Sequence, residues 1–132
     1  MNWKLIFQLS MFGLIMAFGT ISLIPEKVEF IFWLFISIAV AYVIAKVCTG
    51  KYFAHGFFVS GLNSVYLTTT HTFFYTSYST HHPDMSKMMP AGGYLIGYMI
   101  GIGLISAIVF GLFQGLFALI ASKLVKQKTP LQ

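Results

Sequence analysis

Six side chains in the third apolar stretch of this 132-residue chain could do chemistry: Ser60, Asn63, Ser64, Thr68, His71 and Tyr75. At about 100° per residue they gather on one side of a helix, with Phe57, Phe58, Leu62, Phe73 and Phe74 mostly elsewhere. Hydroxyl, amide and imidazole groups left facing hydrocarbon would go unsatisfied at several kcal/mol each, so the stripe must face a protein interior, a partner or water. His71 is the readily titratable side chain deepest in a stretch of this kind. Near its ordinary pKa an imidazole can shuttle protons, and a neutral one hydrogen-bonded to Ser, Thr or Asn can simply hold helices together.

A second cluster follows at once. His81-His82-Pro83-Asp84-Met85-Ser86-Lys87-Met88-Met89 brings imidazoles, a carboxylate and thioethers into nine positions. Imidazole and thioether suit copper, Cu(I) above all, so His81, His82, Met85 and Met89 are the candidate metal ligands. The alternative is an interfacial loop whose methionines fill irregular gaps. No cofactor is implied elsewhere. The chain lacks a serine elbow, an HExxH, a carboxylate pair and any arginine to grip a phosphate, so an enzyme is not expected.

The elements that must carry these residues are plain from composition. The chain is 58% hydrophobic and 8% charged, with a mean hydropathy of +0.83, more apolar surface than a soluble domain of this length could hide. The expected fold is an all-α integral membrane protein: one domain over residues 1–132, a four-transmembrane-helix bundle with spans at about 5–24, 28–47, 52–80 and 93–122. The first stretch resembles a signal peptide only in its lysine-then-apolar order. Its apolar core is about 20 residues, too long for a signal, so it reads as a retained span.

Lysines set the expected orientation. Lys4, then Lys46 and Lys51, then Lys123, Lys126 and Lys128 share one side if four helices alternate, while Glu26, Lys27, Glu29, Asp84 and Lys87 take the other. By the positive-inside rule both termini are cytoplasmic in a multi-pass protein of the inner or plasma membrane. The net charge of +5 is all lysine at span ends, which points to lipid headgroups rather than nucleic acid. Cys48 is the single cysteine, so no intramolecular disulfide can form.

Boundary and packing signals complete the expectation. Pro25 with Glu26 and Glu29 should open the second helix, Gly50 should follow its end, and Pro90 to Gly93 should open the fourth. Gly93, Gly97, Gly101, Gly111 and Gly115 form the core of a small-residue seam on the fourth helix, where close backbone approach replaces the hydrophobic drive that lipid removes. Shorter seams run through Ser10, Gly13, Ala17 and Thr20, and through Ser37, Ala41 and Ala45. The expected partners are the bilayer and a second copy or another membrane protein. Two functions fit: small-solute or ion permeation along the third-helix stripe of a homo-oligomer, or a non-catalytic structural or accessory subunit. Copper handling by the loop is the remaining option.

Overall fold

The computed structural model describes residues 1–125 and is all-helical among them. Helix α1 (Trp3–Ser22) starts on Asn2, whose side-chain oxygen accepts from the Leu5 N–H at 3.1 Å and so satisfies an end donor. Helix α2 (Glu26–Val47) opens behind Pro25 with Glu26 and Glu29 in its first turn, where the helix dipole favours negative charge, and carries Lys46 in its last. Its end departs from expectation. Gly50 is not the residue in the left-handed region; Lys51 is, at φ 53°, immediately before α3 (Tyr52–Phe73).

The third segment is not one helix. It breaks at Phe74 and resumes as a seven-residue helix, α4 (Tyr75–His81), with α5 (Pro83–Lys87) behind it inside the expected connection. Thr68, Thr69, Thr70 and Thr72 crowd the last turns of α3 with β-branched side chains, and the Thr72 hydroxyl donates back to the Thr68 carbonyl at 2.6 Å. Such back-bonding bends helices, and the break follows within two residues. A single 3₁₀ turn, Gly92–Tyr94, with Gly92 at φ 77°, leads into α6 (Leu95–Leu124), whose 30 residues make it the longest element.

Three helices, Trp3–Ser22, Glu26–Val47 and Gly92–Leu124 with its 3₁₀ lead, are long and apolar enough to cross a membrane. Helix α3 matches α2 in length but is too polar to qualify by itself. Placement explains its composition. It lies between α1 and α6, the two helices it packs on most, while α2 packs chiefly on α6 and barely touches α1. Large apolar side chains such as Phe7, Phe18, Phe35, Ile105 and Ile108 point outward instead, the surface expected where the surroundings are hydrocarbon.

Close helix contacts fall at small residues. A Cβ at Gly13 would collide with the Asn63 carboxamide, one at Gly56 with the Gln114 carbonyl oxygen, 2.5 Å away, and one at Gly111 with the Phe57 ring. Gly115 meets Phe53, and Gly103 meets the Thr68 side chain. The seam foreseen on α6 therefore divides: Gly111 and Gly115 lie against α3, whereas nothing comes within 4 Å of a Cβ at Gly93, Gly97 or Gly101. Gly103 lies about 160° around the helix from Gly101. The face of α6 that meets α3 winds around the helix, so a straight stripe stays in contact over part of its length only.

Candidate functional site

Contacts along α3 fix the directions of its neighbours. The Asn2 N–H, just before α1, donates to His55 Nε2 near the start of α3 at 2.9 Å, and Thr20 near the end of α1 meets His71 near the end of α3 at 2.8 Å. The two helices run parallel. Helix α6 runs the opposite way, with Gln114 beside Gly56 and Met99 Sδ 3.8 Å from the Thr72 hydroxyl.

Near the chain's N-terminal end the gap between α2 and α3 is filled by Ile6, Leu9, Val40, Ile44, Val59 and Ala118, a tight apolar cluster. Beyond it the two helices part. The result is a cavity of about 730 Å³ among α2, α3 and α6, reaching from Val40 and Val59 to Glu29, Met85 and Met89 at the other end. Ser60, Asn63, Ser64, Thr68 and His71 all line it. Tyr75 does not; Tyr78, on the same 100° line beyond the break at Phe74, does.

These polar groups are not equivalent. Asn63 is drawn toward α1: with its amide nitrogen turned to them, it donates to the Ser10 carbonyl at 3.1 Å and the Val59 carbonyl at 3.3 Å. Ser60 and Ser64 are buried, and their hydroxyls make no protein hydrogen bond among the described residues. Gln114, which might have joined them, donates instead to the Ser37 carbonyl of α2 at 3.1 Å, tying α6 to α2 across the inner end. One side of the stripe holds helices together, and the other faces the cavity.

Three rings stack beside the cavity near its far end. His71 and Tyr78 lie 4.2 Å apart between ring centroids, and Tyr78 and His82 lie 4.5 Å apart, nearly parallel throughout. Thr20 clips both ends. Its hydroxyl donates to the Met16 carbonyl at 2.9 Å, which leaves the oxygen to accept from His71 Nε2, and its own carbonyl accepts from His82 Nε2 at 2.6 Å. His82 is 1% exposed, and its Nδ1 has no hydrogen-bond partner among the described residues. His55 is equally hidden, and its tautomer follows from its bonds: Nδ1 donates to the Lys51 carbonyl at 2.8 Å and Nε2 accepts from Asn2.

The loop expected to bind metal is divided. His81 is exposed, gives Nδ1–H to the Ser77 carbonyl at 2.8 Å and lines a shallow depression beside Phe73 and Phe74. His82 turns inward to Thr20, while Met85 and Met89 line the cavity mouth. Helix α4 ends between these groups, so their closeness in sequence does not become one ligand set. Among the described residues no three His, Cys, Asp or Glu side chains are grouped to hold a metal ion.

The mouth also holds a residue that the stripe alone did not mark. Glu29 sits on the cavity rim, its Oε1 accepting from Trp33 Nε1 at 3.1 Å. Its place in the first turn of α2 was legible as a helix-opening acid; that it would line a cavity together with residues of α3 and α6 was not. No protein-family model, characterised protein or solved structure matches this chain.

Proposed function

We propose that this chain is a four-span membrane protein with both termini cytoplasmic, and that it binds a small amphiphilic solute within the bilayer as a step in permeation. The observation that carries the reading is the cavity between α2, α3 and α6, apolar on most sides and hydroxyl-lined on one. Pockets of a few hundred Å³ with a few convergent polar groups are the usual form of small-molecule sites. The parallel course of α1 and α3 supports a fourth span: a helix lying along α1 and α6 shares their depth, and its polar side is sheltered by them. Lysine placement supports the orientation.

The cavity lies within one chain, so solute binding needs no second copy. Association with a partner would be a separate property. The competing reading, a structural or accessory subunit, rests on Asn63 and His71, which face α1 and serve its packing.

Flux from proteoliposomes separates the two. Ser64→Leu fills the cavity without touching the α1 contacts and should stop solute movement while the protein stays folded and monodisperse. Unchanged flux in Ser64→Leu, or none in the unmutated protein, favours the accessory reading.

A further inference from the structure

The electrostatics of the cavity select its occupant. Among the described residues that line it, Glu29 is the one charged side chain. Lys27 is exposed and about 160° around α2 from Glu29, and Lys87 on α5 is exposed and paired with Asp84 at 3.2 Å. Trp33 occupies one oxygen of Glu29, and the other has no protein hydrogen bond among the described residues. The walls are rich in π faces, from Phe30, Trp33, Tyr78, Phe110, Phe113 and Phe117. His71 faces Thr20 and Tyr78 and brings no formal positive charge in its neutral form.

An anion entering this space would lose its hydration and meet a carboxylate, with no cation to pair it. A cation would meet that carboxylate and the negative faces of the rings. From this asymmetry we infer that the cavity takes a lipophilic cation, an aromatic or alkyl ammonium or phosphonium ion, with its charge near Glu29 and Trp33 and its apolar body toward Phe113 and Phe117. The volume of about 730 Å³ suits such an ion and not a whole phospholipid. The inference rests on the solute-binding reading of the cavity and adds the sign of the charge.

Trp33 is its own reporter once Trp3, whose ring lies tilted against Phe58 and does not line the cavity, is replaced by Phe. The full chain in detergent is titrated with tetraphenylphosphonium, with tetraphenylborate of the same shape and opposite charge, and with neutral triphenylphosphine oxide. Uptake by protein-free micelles is subtracted. The phosphonium should bind at least about tenfold tighter than the borate, a lower bound for one charge pair near a protein surface. Glu29→Gln should bring it to the level of the neutral probe, and Glu26→Gln should leave it unchanged. Borate binding as tight as phosphonium overturns the inference while leaving a solute site standing, and it decides the matter in the unmutated protein even where Glu29→Gln does not fold. If Trp33 responds to none of the three probes, the cavity reading itself fails.

Discussion

Gly13 and Asn63 occupy one point in the bundle: the carboxamide of Asn63 fills the space that any side chain at position 13 would need, and its amide spans the interface to the Ser10 carbonyl. A missing side chain on α1 is thus what lets a polar side chain of α3 be buried with its hydrogen bonds met. Removing either half leaves the other without a place.

Gly13→Ala should destabilise the fold by about 1–3 kcal/mol, because the Asn63 amide must leave its partners to make room. Gly97→Ala and Gly101→Ala, where nothing lies within 4 Å, should change the monomer's stability by less than about 0.5 kcal/mol. Thermal unfolding in detergent measures all three, and equal losses would contradict the division of the α6 seam.

Glycines on the α3–α6 contact should differ among themselves. At Gly56 the obstacle is the Gln114 backbone, which cannot move alone; at Gly111 it is the Phe57 ring, which can swing toward lipid. Gly56→Ala should therefore cost more than Gly111→Ala, by about 1 kcal/mol or more. A larger loss at Gly111 would mean that α3 and α6 do not cross where described.

His82 offers a test of stacking against hydrogen bonding. His82→Ala opens a hole under Tyr78 and should cost about 2–4 kcal/mol. His82→Phe keeps the stack, gives up the bond to the Thr20 carbonyl and removes an Nδ1 with no hydrogen-bond partner among the described residues, two changes that nearly offset. Its unfolding temperature should stay close to that of the unmutated protein; a fall as large as in His82→Ala would show that the imidazole nitrogens carry the contact.

Burial pushes the Cys48 thiol above its ordinary range, and the positive N-terminus nearby offsets part of that rise. An acid whose pKa is raised by folding stabilises the fold fully at pH below its unfolded value and loses that contribution as pH climbs through the folded one. Stability should therefore fall at alkaline pH, and Cys48→Ala should flatten that fall. Maleimide should label Cys48 slowly at neutral pH from either side of a membrane until the protein unfolds.

That slowness bears on topology. Cys48 is buried, so its silence would not locate it, and orientation is better read from single cysteines at exposed lysines in a Cys48→Ala chain. Lys27→Cys and Lys87→Cys should label from outside intact cells, and Lys4→Cys and Lys123→Cys should label only after permeabilisation. The opposite pattern would reverse the orientation, and Lys87→Cys and Lys4→Cys labelling together would place α3 outside the membrane.

Hydropathy and turn chemistry were enough to place the ends of α1, α2 and α6 within about two residues, because those signals are local. The 100° register was enough to bring Ser10, Gly13, Ala17 and Thr20 onto the buried side of α1, and Ser60, Asn63, Ser64, Thr68 and His71 onto one wall. Tyr75, the first residue after the break at Phe74, does not reach that wall, while Tyr78, on the same 100° line, does. Gly97 and Gly101 meet no other helix of this chain for another reason: a stripe can be drawn on one helix, but where it is covered depends on how the neighbouring helix crosses it.

Sequence alone therefore determined that the chain is helical, apolar enough to associate with a membrane, and polar along one side of its third segment, since each follows from residue type and spacing. The tertiary structure decided which polar groups are spent on packing and which face the cavity. Lys126 and Lys128, which help set the expected orientation, lie outside the described residues. The bond from Asn2 to His55, the place of Glu29 on a wall shared with α3 and α6 and the bond from His82 to Thr20 join residues that neither helical period nor motif relates. Only the packing of α1 and α6 on the two sides of α3, with α2 packed chiefly on α6 and tied to it from Gln114 to Ser37, leaves the cavity between α2 and α3.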